Sequence, residues 1–308
     1  MFFQKFQKPT FCGKLQPLWL PKYFYKKIKK EFPEIKWEKA RFVTHGFDHL
    51  IVVLDNKLIF RTPKKTSDNL QNELYNETQL LGYLKNKVQV GIPEYSYIFK
   101  DKSAAGYKMV AGQELKPAIF KKLLIFEKEK IANQLADFIT VLHTTPKSII
   151  KKYRVKIEDD QKRYSELVRE AKKHIFPKLN ESEIEIIKQY FVELKTALGY
   201  QYPKTLIHND LTQAHILWDK KKKQINVIDF SDRVFGDPAL DFAGLLEYGK
   251  EFTEQVLALY QGKKDKQMLH RAQLYAKRIP LFLMKDAEQG FPCAFEDGYR
   301  MFKKRFGI

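Results

Sequence analysis

The stretch LIHNDLTQAHILWD, residues 206–219, sets two histidines and an aspartate between two apolar runs, and its reading decides the fold. TLIH reads as a short β-rich run, NDLTQAH as a loop, ILWD as a second run, KKKKQ as a turn, and INVIDF as a third run that carries the chain to Asp229. Asp210 and Asp229 are far apart in sequence, yet they emerge at neighbouring strand or loop ends and can face one pocket. Paired carboxylates beside a third polar ligand are well suited to holding a divalent cation against a phosphorylated ligand while another carboxylate positions a hydroxyl nucleophile. Phosphoryl transfer asks mainly for orientation and charge neutralisation. The residue types meet that demand.

Upstream, the first third is rich in strands. HLIVVLDNKLIFRTP (49–63) is a hairpin by turn chemistry, with its turn at LDNK, and VTHGFD holds a glycine just before it. A helix follows, with Leu70, Leu74, Leu81 and Leu84 at helical spacing after the N-capping residues of TSDN. YSYIFK and GYKMVAGQEL supply further short strands, and Gly112 marks a break. Beyond about residue 113 helix dominates: Ile131, Leu135, Phe138 and Leu142 form one stripe that stops before Pro146. Residues 205–230 are then a strand-like insertion in a mostly helical second part.

Bulk properties limit the answers. At 308 residues, with 44% hydrophobic and 14% aromatic content, the chain can bury a large core, as one unit or two lobes. Cys12 and Cys293 stand far apart in no metal-like spacing, which fits a reducing cytoplasm. Lysines at 5, 8 and 14 interrupt the N-terminal apolar residues, so no signal peptide is expected, and no run is long enough to span a bilayer. The net charge is +19, and residues 1–30 hold eight lysines and no acid. Most of this lysine is scattered along the chain. It reads as a solvated face rather than a polyanion site, and nucleic acid is not the expected partner.

The composite HNDLTQAHIL followed by VIDFSDRVFGDPALDFAGLL resembles the aminoglycoside phosphotransferase family, and most of all the aminoglycoside 2''-phosphotransferases, which also carry histidine where most relatives have asparagine. The likeness runs from about residue 40 to 250. It implies an α+β, bilobal, protein-kinase-like fold: an N-terminal nucleotide-binding lobe (1–110, with 1–22 as a basic extension) and a larger, mostly helical catalytic and substrate-binding lobe (111–308). By the same resemblance Asp210 is the catalytic base or hydroxyl-orienting residue, and His215 and Asp229 hold the metal. His208 becomes a buried support for the loop and Asp241 its anchor, beside Gly236, Asp237 and Pro238. Magnesium prefers oxygen ligands and imidazole is softer, so manganese stays open beside it.

In the first lobe the resemblance puts Arg61 on the third strand as the basic residue that contacts nucleotide phosphates, paired with Glu77 on the next helix and with Glu73 one turn earlier. Many small-molecule kinases use lysine there, and arginine keeps the charge with a different fork. As an exposed charge, Arg61 is expected to add little stability. THGFD, with Gly46, falls where a nucleotide-covering loop belongs, and Met109, Val110 and Ala111 would form the hinge beside the nucleobase. FSD after Asp229, in place of FG, argues against a protein kinase and for a small-molecule acceptor. ATP or GTP would be the donor and an aminoglycoside the acceptor, with antibiotic resistance as the consequence.

Acids that could meet a polycation are Asp210 and Asp232 near the chemistry, Glu247 on the following helix, and Asp286, Glu288, Glu296 and Asp297 further on. Other members of the family phosphorylate choline, fructosamines, homoserine or macrolides, so a metabolite alcohol is the alternative acceptor. Arg61, His215 and the single-glycine loop also admit a nucleotide-binding pseudokinase. Charge alone admits a binder of nucleic acid or anionic membrane.

Overall fold

The computed structural model describes residues 19–43, 49–64, 68–291 and 293–308. The glycine-bearing loop with Gly46 and most of the basic extension therefore lie outside the described residues. The extension was expected to run to residue 22, but helix α1 (Trp19–Glu31) begins before that. Phe24 and Ile28, one turn apart, bury its inner face. Lys29 and Lys30 in its last turn complement the helix dipole.

Five antiparallel strands follow: β1 (Ala40–Val43), β2 (His49–Leu54), β3 (Leu58–Pro63), β4 (Tyr95–Ile98) and β5 (Ala105–Lys108), in the order β1-β2-β3-β5-β4. The expected β2–β3 hairpin turns at Asp55 and Asn56, with φ of 49° and 52°, the twist that a tight hairpin favours and that Asp and Asn tolerate. Successive residues of β3 point to opposite faces. Phe60 joins Phe24, Ile28, Val52 and Phe99 in a core beneath α1, and Arg61 is delivered to the other face. There α2 (Asp68–Leu84) packs with Leu74, Leu81 and Leu84 buried.

The chain leaves this sheet at Lys108 and enters the mostly helical part through Gly112. Its φ of +112° and the nearness of Trp218 (2.9 Å from an added Cβ to the carbonyl carbon) leave no room for a side chain. Strand β6 (Gln113–Glu114) then pairs with β8 (Ile216–Asp219), which pairs with β9 (Gln224–Val227), while β7 (Thr205–Ile207) pairs with β10 (Val234–Gly236). The strand-like insertion is thus two small antiparallel sheets. Helices α3 (Pro117–Lys121), α4 (Ile125–His143), α5 (Lys147–Lys152), α6 (Asp160–Glu170), α7 (Glu181–Leu198), α8 (Leu240–Ala243), α9 (Lys250–Leu259), α10 (Met268–Glu288) and α11 (Phe295–Phe306) surround them. Ile131, Leu135, Phe138 and Leu142 of α4 are buried in the core that β7 and β9 share, as their spacing predicts.

Candidate active site

The β7–β8 loop is held from beneath by one carboxylate. Asp241, fully buried, accepts the backbone N–H of His208 at 2.9 Å and of Asn209 at 2.8 Å. A third contact, 3.1 Å from His143 Nε2, brings in the last residue of α4, whose Nδ1 meets Tyr260 Oη at 2.9 Å. Asn209 takes a left-handed φ of 68°, a conformation that short polar side chains tolerate. His208 is buried, with Nε2 donating to the Ile228 carbonyl at 3.0 Å and Nδ1 accepting the Asp210 N–H at 3.3 Å. Burial lowers its pKa, as this neutral tautomer requires. His208 and Asp241 thus have the supporting and anchoring positions expected of them. Gly244 touches the same loop so closely that an added Cβ would lie 2.2 Å from the Leu211 carbonyl oxygen.

Asp210, His215 and Asp229 are brought together. The ring of His215 is oriented through Nδ1, 2.8 Å from the Asp210 carbonyl oxygen and 3.2 Å from the Asp210 carboxylate. Its Nε2 faces the Asp229 carboxylate at 3.6 Å. Burial opposes a charge on this ring, but the contacts with Asp210 and Asp229 outweigh it and raise the pKa to about 9. Asp229 sits just past β9 with a φ of 63°. Burial disfavours its charge too, but Arg61, His215 and Ser231 hold its carboxyl well below the usual range. The donor set fits a divalent cation that displaces the Nε2 proton: Nδ1 keeps its proton toward Asp210, and Nε2 and the Asp229 carboxylate face each other at 3.6 Å. Among the described residues no group of three or more such ligands occurs, and magnesium commonly takes one or two carboxylates and completes its shell with water and substrate phosphate.

Arg61 corrects the sequence expectation. It is 3% exposed, not a surface charge, because four elements close over it. Nη1 donates to Glu77 at 2.9 Å and to Tyr95 Oη at 3.0 Å, and Nη2 donates to Asp229 at 3.2 Å and to Ser231. His49 Nδ1 lies 3.4 Å from Nη2, and burial and then Arg61 lower the His49 pKa to about 4. Of the two candidate glutamates Glu77 makes the pair, while Glu73 offers its carbonyl to Arg233.

Arg233 escaped the sequence reading. It donates to the other Glu77 oxygen at 3.3 Å and to the Phe230 carbonyl at 3.0 Å, tying the Asp229 segment to α2. The available signal was an arginine set directly before the apolar pair Val234–Phe235. Tyr95 and Ser231 carried no signal of their own.

Two hinge groups are already engaged: the Met109 N–H donates to Lys57 O at 2.7 Å and the Ala111 carbonyl accepts from Asn226 at 2.8 Å. Val110 lies between them, partly buried. Asn226 also accepts the Gly91 N–H at 2.8 Å, so one side chain of β9 binds the hinge to the hairpin that leads into Asp229.

A cleft of about 1620 Å³ opens beside Asp210 and His215 and includes Asp232, Glu247, Asp286 and Asp297 in its walls. Glu288 and Glu296, two other candidate acids, are not among its lining residues. Glu247 lies on a 3-10 turn after α8 rather than on a long helix, and Arg305 of α11 pairs with it at 3.2 Å. Asp286 pairs with Lys285 at 2.7 Å and Asp297 with Arg300 at 2.8 Å. Eight Asp and Glu residues and ten Lys and Arg residues line the cleft.

An antiparallel sheet over a helical part, with an Arg–Glu pair on the sheet side and an Asp–His–Asp set on the helical side, defines a kinase-like phosphotransferase. The chain belongs to the phosphotransferase enzyme family, whose model matches residues 39–275, and it acts on hydroxyl groups. It is similar to the GDP and kanamycin complex of APH(2'')-IIIa, at 26% identity and a TM-score of 0.81 over 92% of this chain and 98% of that one. ADP-bound APH(2'')-Ib matches at 21% identity and a TM-score of 0.68, covering 92% and 96%. Macrolide 2'-phosphotransferase type I matches at 15% identity and 0.62, covering 93% and 95%. The last two carry the likeness in fold alone.

Proposed function

We propose that this chain transfers the γ-phosphoryl group of ATP or GTP to a hydroxyl of an aminoglycoside, a reaction that would confer antibiotic resistance in the cytoplasm. The observation that carries the reading is the continuous set Asp210–His215–Asp229–Arg61–Glu77, which joins a carboxylate open to a cleft with a buried cation. Kanamycin and GDP in the APH(2'')-IIIa complex support the acceptor and donor classes. The division at residue 110 belongs to the same proposal.

Asp210, whose side chain is 40% exposed, orients the acceptor hydroxyl and receives its proton as the oxygen attacks phosphorus. Arg61, whose Nη2 donates to Asp229 and Ser231, exchanges these for donor phosphate oxygens while Glu77 holds the other arm of its fork. Val110 and the remaining backbone groups of Met109 and Ala111 receive the nucleobase. His215 and Asp229 would hold Mg2+ or Mn2+, which supplies charge neutralisation for the phosphates. Asp232 and Glu247 serve acceptor amines, Glu247 by exchanging Arg305 for substrate.

A second acceptor class, a metabolite alcohol of sugar, choline or amino-acid type, is favoured by the ten basic residues that share the cleft with eight acids. A nucleotide-consumption assay across kanamycin and a panel of such alcohols separates the two. Asp210→Asn should lower transfer to the true acceptor by about 10²–10⁴-fold at unchanged nucleotide affinity. Wild-type rates in that variant would sink the mechanism. Nucleotide binding without transfer to any acceptor would leave a pseudokinase.

A further inference from the structure

A surface away from the reacting groups carries chemistry of its own. At the start of α4, Leu124, Ile125 and Phe126 are 61%, 76% and 48% exposed. The other large exposed apolar residues among those described (Tyr23, Ile157, Val192, Tyr200, Phe291 and Ile308) are scattered through the chain. Scattered exposed apolar residues need no explanation, whereas a contiguous patch marks an interaction site.

Lysines surround this one. Lys122, Lys128 and Lys130 flank it in sequence, together with Lys121, which also lines the cleft, and the β8–β9 turn adds Lys220, Lys221, Lys222 and Lys223, all four exposed. The two stretches meet in space: Lys223 Nζ lies 4.5 Å from the Phe126 ring centroid, and Gln134 of α4 accepts the Ile225 N–H at 2.9 Å. Acids are few and partly committed. Glu127 is buried and caps the Leu124 N–H at 3.1 Å, and Asp219 accepts the N–H groups of Lys221 and Lys222 at 3.0 and 3.2 Å. That leaves Glu129 against eight lysines.

We propose that Leu124, Ile125 and Phe126, with the lysines around them, dock this protein on an anionic lipid surface. Charge decides among the occupants. A second copy would bring the same lysines, and the chain's own first eighteen residues are basic and hold no acid. Both would repel the patch. Nucleic acid would match the lysines, but two of the three apex residues are aliphatic and offer nothing to a base or phosphate. A membrane accepts both halves: aliphatic and aromatic side chains enter the boundary between headgroups and acyl chains while lysines stay at the phosphate level.

The full-length protein is sedimented with phosphatidylcholine vesicles carrying about one-third phosphatidylserine, and with pure phosphatidylcholine vesicles. Each membrane-facing lysine is worth roughly fivefold in partition. Replacing Lys221, Lys222 and Lys223 by Glu should therefore weaken binding on the order of a hundredfold, and raising salt to about 1 M should weaken the wild type likewise. Leu124→Ser, Ile125→Ser and Phe126→Ser together should abolish stable binding to acidic vesicles, with melting temperature and nucleotide affinity unchanged. Equal binding to both vesicle types, no binding to either, or full binding by both triple variants would overturn the proposal. So would binding to RNA or to an acidic polypeptide with none to acidic vesicles. None of these outcomes bears on the kinase reading.

Discussion

Glu77→Gln tests whether one buried carboxylate balances two arginines. Glu77 is 1% exposed and accepts from Arg61 at 2.9 Å, Tyr95 at 2.8 Å and Arg233 at 3.3 Å. Glutamine keeps the size, removes the charge, and turns an amide donor toward a guanidinium. Breaking a buried ion pair by removing one partner costs about 3–5 kcal/mol. Arg61 keeps Asp229 and Ser231, and Arg233 keeps two carbonyls, so the lower end applies: about 3 kcal/mol, or roughly 5–10 °C of melting temperature for a chain of this size. Calorimetry reads this directly. Adding Arg233→Met removes the cation left uncompensated, so the double variant should be more stable than the sum of the single losses predicts. A fall below about 2 °C, or simple additivity, would refute the reasoning.

Asp229→Ala should abolish any strengthening of nucleotide binding by magnesium or manganese, read by calorimetric titration; unchanged metal dependence would remove Asp229 from its role. His49 has its pKa lowered from 6.5 to about 4, so the neutral ring contributes stability that is complete above pH 6.5 and is lost as pH falls from there through 4. His49→Gln should flatten that part of the stability curve, and an NMR titration should find the wild-type imidazole still neutral at about pH 5. Asp241→Asn deprives the β7–β8 loop of its charged acceptor and should lower transfer more than nucleotide affinity, which steady-state kinetics beside a binding measurement will separate.

The Asp210–His215–Asp229 motif was legible because its information is local. A strand, a seven-residue loop and a hairpin bring Asp210 and Asp229 to neighbouring ends, the family resemblance added His215, and the structure puts His215 within 3.2 Å of the first carboxylate and 3.6 Å of the second. The Asp55–Asn56 turn and the α4 stripe were readable for the same reason, since turn chemistry and apolar period are properties of a few consecutive residues.

What the sequence could not state was which charges meet and which apolar residues stay outside. Arg61 looked like an exposed strand residue because its partners come from α2, β4 and the segment after β9. The Arg233–Glu77 contact joins residues 156 positions apart. Arg305 reaches Glu247 from the last helix and offsets an acid that sequence alone would have offered to a cationic substrate. The run Leu123–Phe126 has the composition of a core segment, yet three of its four residues face solvent because α4 begins at the edge of the packed layer. Periodicity tells which side of an element is apolar; only the closing of distant elements over one another decides which charge is desolvated and which apolar side is left uncovered.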